Sequence, residues 1–326
     1  MIVSTVVDRK EHPVGSPKIG LALGSGAARG WAHIGVIQSL REAGIEPDIV
    51  CGASIGSLVG GAYACGRLEE FEAWVRRLTW RDVIRYMDLQ LRGGGFIEGE
   101  RIIAFARRYM SDVEIESLEK PFAAVATELA TGQEVWLREG SLLEGVRASC
   151  ALPGLFAPVK REGTWLADGG LVNPVPISLC RAMGADVVIA VNLNGDIVGK
   201  HFRSQNPQPY PVVTAEEADD FLGRLSASIS NGVRAKAEEM VSSLMGTNKA
   251  PGVFEVLSSA LNIMQDRITR SRMAGDPPDI LLAPHLAHLG LLEFHRAEVA
   301  IDAGAQAVKQ VLPNILTTLG REPPGS

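Results

Sequence analysis

Two hydrophobic patterns alternate along the chain. Short continuous apolar runs that stop at turn residues, "IGLALG" (19–24), "PDIVCGAS" (47–54) and "DVVIAVNL" (186–193), have the length and closure of strands buried on both faces. Between them stand segments whose apolar residues recur every three or four positions. "HIGVIQSLREAGI" (33–45), with Gly44 as its C-cap, predicts a helix that completes a β-α-β unit. A further helix opens near Ser54, "LEEFEAWVRRLTW" (68–80) has helical spacing, and "RGGGFIEGERIIAFARRYM" (92–110) places a glycine turn before another helix. "PFAAVATELATGQEVWLREG" (121–140) reads as two strands around a turn at 130–133, and "SLLEGVRASCALPGL" (141–155) as a helix stopped by Pro153. After it come a strand through "TWLAD", a tight turn from Asp168 to Gly170, and a helix beginning near Pro176.

Strands alternating with helices over this length predict a three-layer α/β/α fold around a mostly parallel central sheet. Three segments follow: an N-terminal arm at 1–17, an α/β domain at 18–195, and a C-terminal helical segment at 196–326 packed on the same domain. Within the last, 199–220 is polar and proline-containing and predicts a mobile loop. Helices are expected on both sides of "GTNKAPG" (246–252), then one added strand in "PPDILLAPHL" and a closing helix in "FHRAEVAIDAGAQAVKQVL".

Composition narrows the function classes. The 326 residues are 46% hydrophobic and 21% charged, with a net charge of -6, which fits a globular protein and argues against a nucleic-acid partner. The first residues have no basic stretch followed by a sustained apolar one, and no window approaches a membrane-spanning length, so a cytoplasmic location is expected. Cys51, Cys65, Cys150 and Cys180 stand singly, and the six histidines form no HExxH pattern. No metal and no cofactor are expected.

Chemistry concentrates in three short motifs. Gly52-Ala53-Ser54-Ile55-Gly56 lies where a strand passes into a helix, the setting of a nucleophile elbow, with the glycines permitting close approach of neighbouring elements. Ser54 needs a base, and two schemes stand open: a triad with a late histidine, His285, His288 or His295, or a direct dyad with Asp168 of "LADGG". The loop "GSGAARG" (24–30) lies at the start of the first helix. A dinucleotide site there would want a third glycine where Arg29 stands and an acidic residue closing the second strand, where Ser54 stands instead. An oxyanion pocket fits better, with backbone N–H groups around Gly26 and Ala27 contributing roughly 3 to 4 kcal/mol per donor, and Arg29 either pinning the loop or holding a substrate phosphate. Neighbouring strands place this loop and Ser54 at the same edge of the sheet.

The Gly-Arg loop, the GxSxG elbow and the Asp-Gly-Gly turn, in this order, resemble the patatin-like phospholipase family, and within it the bacterial RssA-type branch related to neuropathy target esterase. The likeness is strongest over 18–195; "MQDRITRSRMAGDPPDILLAP" and "GLLEFHRAEVAIDAGA" resemble the C-terminal part of that branch. The resemblance implies hydrolysis of acyl esters of phospholipids or lysophospholipids through an acyl-enzyme, with Ser54 as nucleophile, Asp168 as base and no histidine in the dyad. It also implies an oxyanion loop of Gly24, Ser25, Gly26, Ala27, Arg29 and Gly30, and a supporting frame of Gly52, Gly56, Gly169 and Gly170. His33 is a helper by position, and the late histidines fall to structural or surface roles. A lipid substrate implies peripheral contact with a membrane surface. The family's usual G-G-G-x-R-G run has Ser25 and Ala27 in place of its first and third glycines here, which favours a smaller ester or a lysophospholipid. The run 147–159 is an acyl-chain candidate, and 91–99 a candidate lid hinge. The runner-up readings are a triad esterase or thioesterase and a weakly active regulatory protein on the same fold.

Overall fold

The computed structural model describes residues 16–86, 112–153, 155–195 and 253–322, together with Arg107 and Met110. Most of the N-terminal arm, the lid candidate at 91–99, nearly all of the turn and helix over 92–110, the loop at 199–220 and the first of the two helices flanking 246–252 lie outside these residues. Strands β1 (Ile19–Leu23), β2 (Ile49–Ala53) and β7 (Val187–Val191) are buried at every position, as continuous apolar runs require when both faces are covered. Helix α1 (Ala32–Glu42) links β1 to β2 and ends two residues before Gly44, which takes a left-handed φ of 71°. Helix α2 (Ile55–Ala64) follows β2 directly.

The sheet separates two apolar clusters. On one face Leu21, Leu23 and Val50 pack with α1, α2 and α3 (Leu68–Val75); on the other Ala22, Cys51 and Val188 meet Ile177, Leu179 and Cys180 of a later helix, α6 (Ile177–Ala182). These are the three predicted layers. Four strand pairings are parallel, β1 with β2 and β7, β2 with β3 (Phe122–Glu128), and β7 with β8 (Ile280–Leu282). Three are antiparallel: β3 with β4 (Glu134–Leu137), β3 with β6 (Thr164–Asp168), and β6 with β5 (Val159–Arg161).

The registers on β3 decide where the chemistry sits. Val125 pairs with Trp136 of β4 and Ala53 of β2, while Ala126 pairs with Val135 of β4 and Asp168 of β6. A strand has two edges, and β4 occupies one of them at both positions. Strands β2 and β6 therefore share the other edge end to end, running toward each other, so that Ser54 and Asp168 are delivered to one point from opposite directions.

Departures from the sequence reading have local causes. The helix expected over 68–80 is two, α3 and α4 (Trp80–Tyr86), because Thr79 and Asp82 exchange side-chain and backbone hydrogen bonds in a capping arrangement that starts a new helix. Helix α5 (Leu142–Ser149) ends well before Pro153, where Cys150 closes it and Ala151 turns to meet the backbone of Asp168. Strand β5 was not anticipated. It forms a hairpin with β6 through Glu162 and Gly163, whose φ values of 50° and 84° are those of a two-residue turn with both central residues left-handed.

Beyond 252, α7 (Val253–Gly275) leads to β8, and α8 (Ala297–Thr318) closes the described chain. Helix α8 lies against α1 at van der Waals distance of backbone to backbone: a Cβ at Gly35 would strike the Ile301 carbonyl, and one at Gly304 the Ala32 carbonyl. Gly304→Val is expected to destabilise the protein by at least about 2 kcal/mol, since backbone cannot rotate aside as a side chain can. Chemical denaturation checks this, and an unchanged midpoint would show that the two helices can part without cost.

Candidate active site

Glycines allow the turn that presents Ser54. A Cβ at Gly52 would collide with the backbone of Ser57, and one at Gly56 with the Leu23 carbonyl, so β2 can pass into α2 only with bare backbone at both places. Between them Ser54 has φ 55° and ψ -127°, a conformation costing on the order of 1–3 kcal/mol for a residue with a side chain. Hydrogen bonds at its N–H, its carbonyl and its hydroxyl fix it. Its N–H donates to Ser149 Oγ at 2.9 Å, its carbonyl accepts from Ser57 Oγ at 2.6 Å, and its own Oγ donates to Asp168 Oδ2 at 2.6 Å.

Asp168 is fully buried at the end of β6. Its Oδ1 accepts from the Gly170 N–H at 2.7 Å, its N–H donates to the Ala151 carbonyl at 2.9 Å, and its carbonyl accepts from Thr127 Oγ1 at 2.8 Å. Burial pushes the carboxyl up to about 6, against the opposing pull of the hydrogen bonds from Ser54 and Gly170. Gly169 has no room for a side chain beside the Val125 carbonyl. At Gly170 a Cβ would press on Ser25 Oγ, lie 2.6 Å from Gln265 Nε2 and 2.9 Å from Asp168 Oδ1. Cys150, nearby, has its thiol pushed up to about 12 by burial and by Asp168, so it stays neutral. The cysteines are free thiols.

In the loop from Gly24 to Gly30, most N–H groups have acceptors. Those of Gly24, Ser25, Ala28 and Arg29 bond to the carbonyls of Val191, Pro174, Leu291 and Gly26. Among the described residues the N–H groups of Gly26 and Ala27 have none. Gly26 itself is extended, and what it requires is space, since a Cβ there would meet the Leu193 side chain at 2.7 Å. Ala27, where the family usually has glycine, sits at φ 49°. Ser25 Oγ is buried without a hydrogen-bond partner beside Gly170, and a Cβ at Gly30 would collide with Ile55.

Arg29 is engaged within the protein. Only 5% exposed, its guanidinium donates to the Leu289 carbonyl at 3.0 Å, Asn194 Oδ1 at 3.3 Å and Asn262 Oδ1 at 3.4 Å, which ties the loop to α7 and to the segment after β8. His33 is also structural: burial lowers it to about 4, so the neutral ring donates from Nε2 to the Gly24 carbonyl at 2.8 Å and props the loop. His285 and His288 are exposed, and His295 stacks edge-on against Trp80. With Ser54 Oγ directly on Asp168, no imidazole stands between them.

Sequence reasoning missed Ser149, Ala151 and Thr127, which hold the backbones of Ser54 and Asp168, and the downstream partners of Arg29. Nothing local marks them, because their positions depend on the register of β3 and on contacts some 260 residues apart. Among the described residues no group of three or more His, Cys, Asp or Glu could hold a metal, and no helix is long and apolar enough to cross a membrane.

The profile of the patatin-like phospholipase family matches residues 21–181, a span that includes the loop, the elbow and the Asp-Gly-Gly turn. A protein of Mycobacterium tuberculosis named as an uncharacterised NTE family protein is 36% identical, covering 91% of this chain and 92% of its own length. The chain belongs to the NTE family of patatin-like phospholipases. A second M. tuberculosis protein of the NTE family is 28% identical over 90% of this chain, here only 46% of the relative. Patatin-like phospholipase domain-containing protein 6 of Mus musculus is 36% identical over 54% of this chain and 13% of its own length. Membership makes the protein, in general terms, a lipid ester hydrolase.

Two stability predictions follow from the strained and buried groups. Ala27→Gly is expected to raise stability by about 1 kcal/mol, because only the methyl is penalised at a left-handed φ; a loss in thermal unfolding would show that the methyl packs favourably. Asp168 is raised above its unfolded value of 3.8, so its ionisation opposes folding: wild type loses stability as pH rises from about 4 to about 6 and is level beyond. Asp168→Asn escapes this loss. Its advantage over wild type is expected to grow across that window by on the order of 1–3 kcal/mol, read from denaturation at a series of pH values.

Proposed function

We propose that the protein is a serine acyl hydrolase working through a Ser54–Asp168 dyad on acyl esters of phospholipids or lysophospholipids. The observation that carries this reading is the 2.6 Å hydrogen bond from Ser54 Oγ to Asp168 Oδ2, made by a nucleophile in a strained elbow to a buried base. Ser54 Oγ attacks the ester carbonyl while its proton passes to Asp168 Oδ2. Negative charge on the carbonyl oxygen is met by the N–H groups of Gly26 and Ala27. The protonated Asp168 then gives its proton to the departing alcohol, leaving the acyl group on Ser54. Water, deprotonated by Asp168, attacks the acyl-enzyme and releases the fatty acid, and the proton returns to Ser54.

A carboxylate is a weak base for a serine hydroxyl, and its raised value of about 6 narrows the mismatch. The remainder falls to the two N–H donors, which consign the enzyme to slow turnover compared with triads. Ser25 and Ala27 place a hydroxymethyl and a methyl where the family has open backbone, which supports a lysophospholipid or smaller ester over a bulky diacyl lipid. The lipid surface would be met from outside, by peripheral contact.

Ser54→Ala and Asp168→Asn are each expected to reduce hydrolysis of a short p-nitrophenyl ester by about 10³-fold or more while the fold persists. A fluorophosphonate probe is expected to label wild type at Ser54. In wild type kcat/KM should rise with pH through about 6 and level above it, as Asp168 ionises. Full activity in either variant would rule out the dyad, and loss of activity on replacing His285, His288 or His295 would favour a triad.

A further inference from the structure

The end of α5 touches both members of the dyad at their backbone N–H groups. Ser149, fully buried in the last turn, accepts the Ser54 N–H on its Oγ at 2.9 Å. Two residues on, the Ala151 carbonyl accepts the Asp168 N–H at 2.9 Å. Between them Cys150 Sγ lies 3.7 Å from Ser57 Oγ, whose hydroxyl holds the Ser54 carbonyl. Three consecutive residues thus grip the nucleophile and the base together, although Ser54 and Asp168 stand 114 positions apart in sequence.

We propose that Ser149 is a positioning residue of this hydrolase, whose hydroxyl, acting with the Ala151 carbonyl, sets the separation of Ser54 and Asp168. This rests on the dyad reading above. The physical case begins with Ser54 itself. A left-handed serine is unstable unless its surroundings over-determine it. Its carbonyl is already secured by Ser57 within α2, and its side chain by Asp168, so the Ser149 bond supplies the remaining restraint, at the N–H. Without it the peptide between Ala53 and Ser54 can rotate, and Oγ swings on a short lever away from Oδ2. The Ala151 bond fixes the other half by stopping Asp168 from sliding along β6.

Such a role separates catalysis from binding. Ser149→Ala is expected to lower kcat by about 10- to 100-fold with KM within about twofold, as misplacement of a reacting group by an ångström does. It should also move the acid limb of kcat/KM above about 6, because a drifting Ser54 no longer supplies the hydrogen bond that holds the Asp168 carboxyl down. The groups facing Asp168 are the Ser54 hydroxyl from α2, the Gly170 N–H from its own turn, the neutral Cys150 thiol from α5, the Thr127 hydroxyl from β3, and the uncharged Ser25 and Gln265 from the loop and α7. None titrates near 6, so a shifted limb reports the Ser54 bond. Loss of packing alone would lower the melting temperature and leave the limb where it is.

Ser149→Cys keeps the shape and offers a poorer acceptor, and is expected to behave as the alanine variant does. Wild-type kcat and an unmoved acid limb in either folded variant would overturn the proposal. Should neither fold, amide exchange at Ser54 in wild type decides: strong protection is expected, and exchange at the rate of an open loop would overturn it. If instead Ser54→Ala and Asp168→Asn stay active, the dyad reading fails first. If they are inactive while Ser149→Ala is normal, only the present inference fails.

Discussion

The hydrogen bond between Ser54 and Asp168 is the contact around which the rest is arranged, and β3 is what makes it possible. One long strand gives its first half to β2 and its second half to β6 along the same edge, so two chains that never pair with each other end nose to nose. The price is a left-handed serine and a carboxylate without water. Both are unfavourable in isolation, and both are held by hydrogen bonds from neighbouring side chains and backbone.

Burial and strain here serve chemistry in opposite ways. Desolvation makes the carboxylate a better base, but only because its oxygens retain two donors, enough to keep it ionisable near neutrality. The elbow leaves Ser54 partly exposed, while its carbonyl and N–H are committed inward. In the adjacent loop the distribution reverses. Four of the N–H groups are satisfied by protein and, among the described residues, those of Gly26 and Ala27 have no acceptor.

Much of this was legible in short stretches of sequence. The parallel strands announced themselves as uninterrupted apolar runs, and the positions of Ser54, Asp168 and the Gly26–Ala27 pair followed from motifs at strand ends. What was not legible depends on register and distance. The hairpin of β5 and β6 hides behind a Glu-Gly turn whose glutamate is an unusual left-handed residue. The break between α3 and α4 rests on a Thr-x-x-Asp cap inside what reads as one helix. The environment of Arg29 could not be read at all, since its partners come from Asn194, Asn262 and Leu289, each in a different element or connection.

That environment has a bearing on biosynthesis. Ser54 and Asp168 both precede residue 169, yet the loop beside them takes its shape from a guanidinium anchored on Leu289 and an amide anchored on Leu291. A growing polypeptide would hold Ser54 and Asp168 long before the residues that pin the loop beside them. The shape of the loop beside Ser54 is therefore settled only when the last third of the chain has been made and has docked, which couples local geometry to completion of the fold.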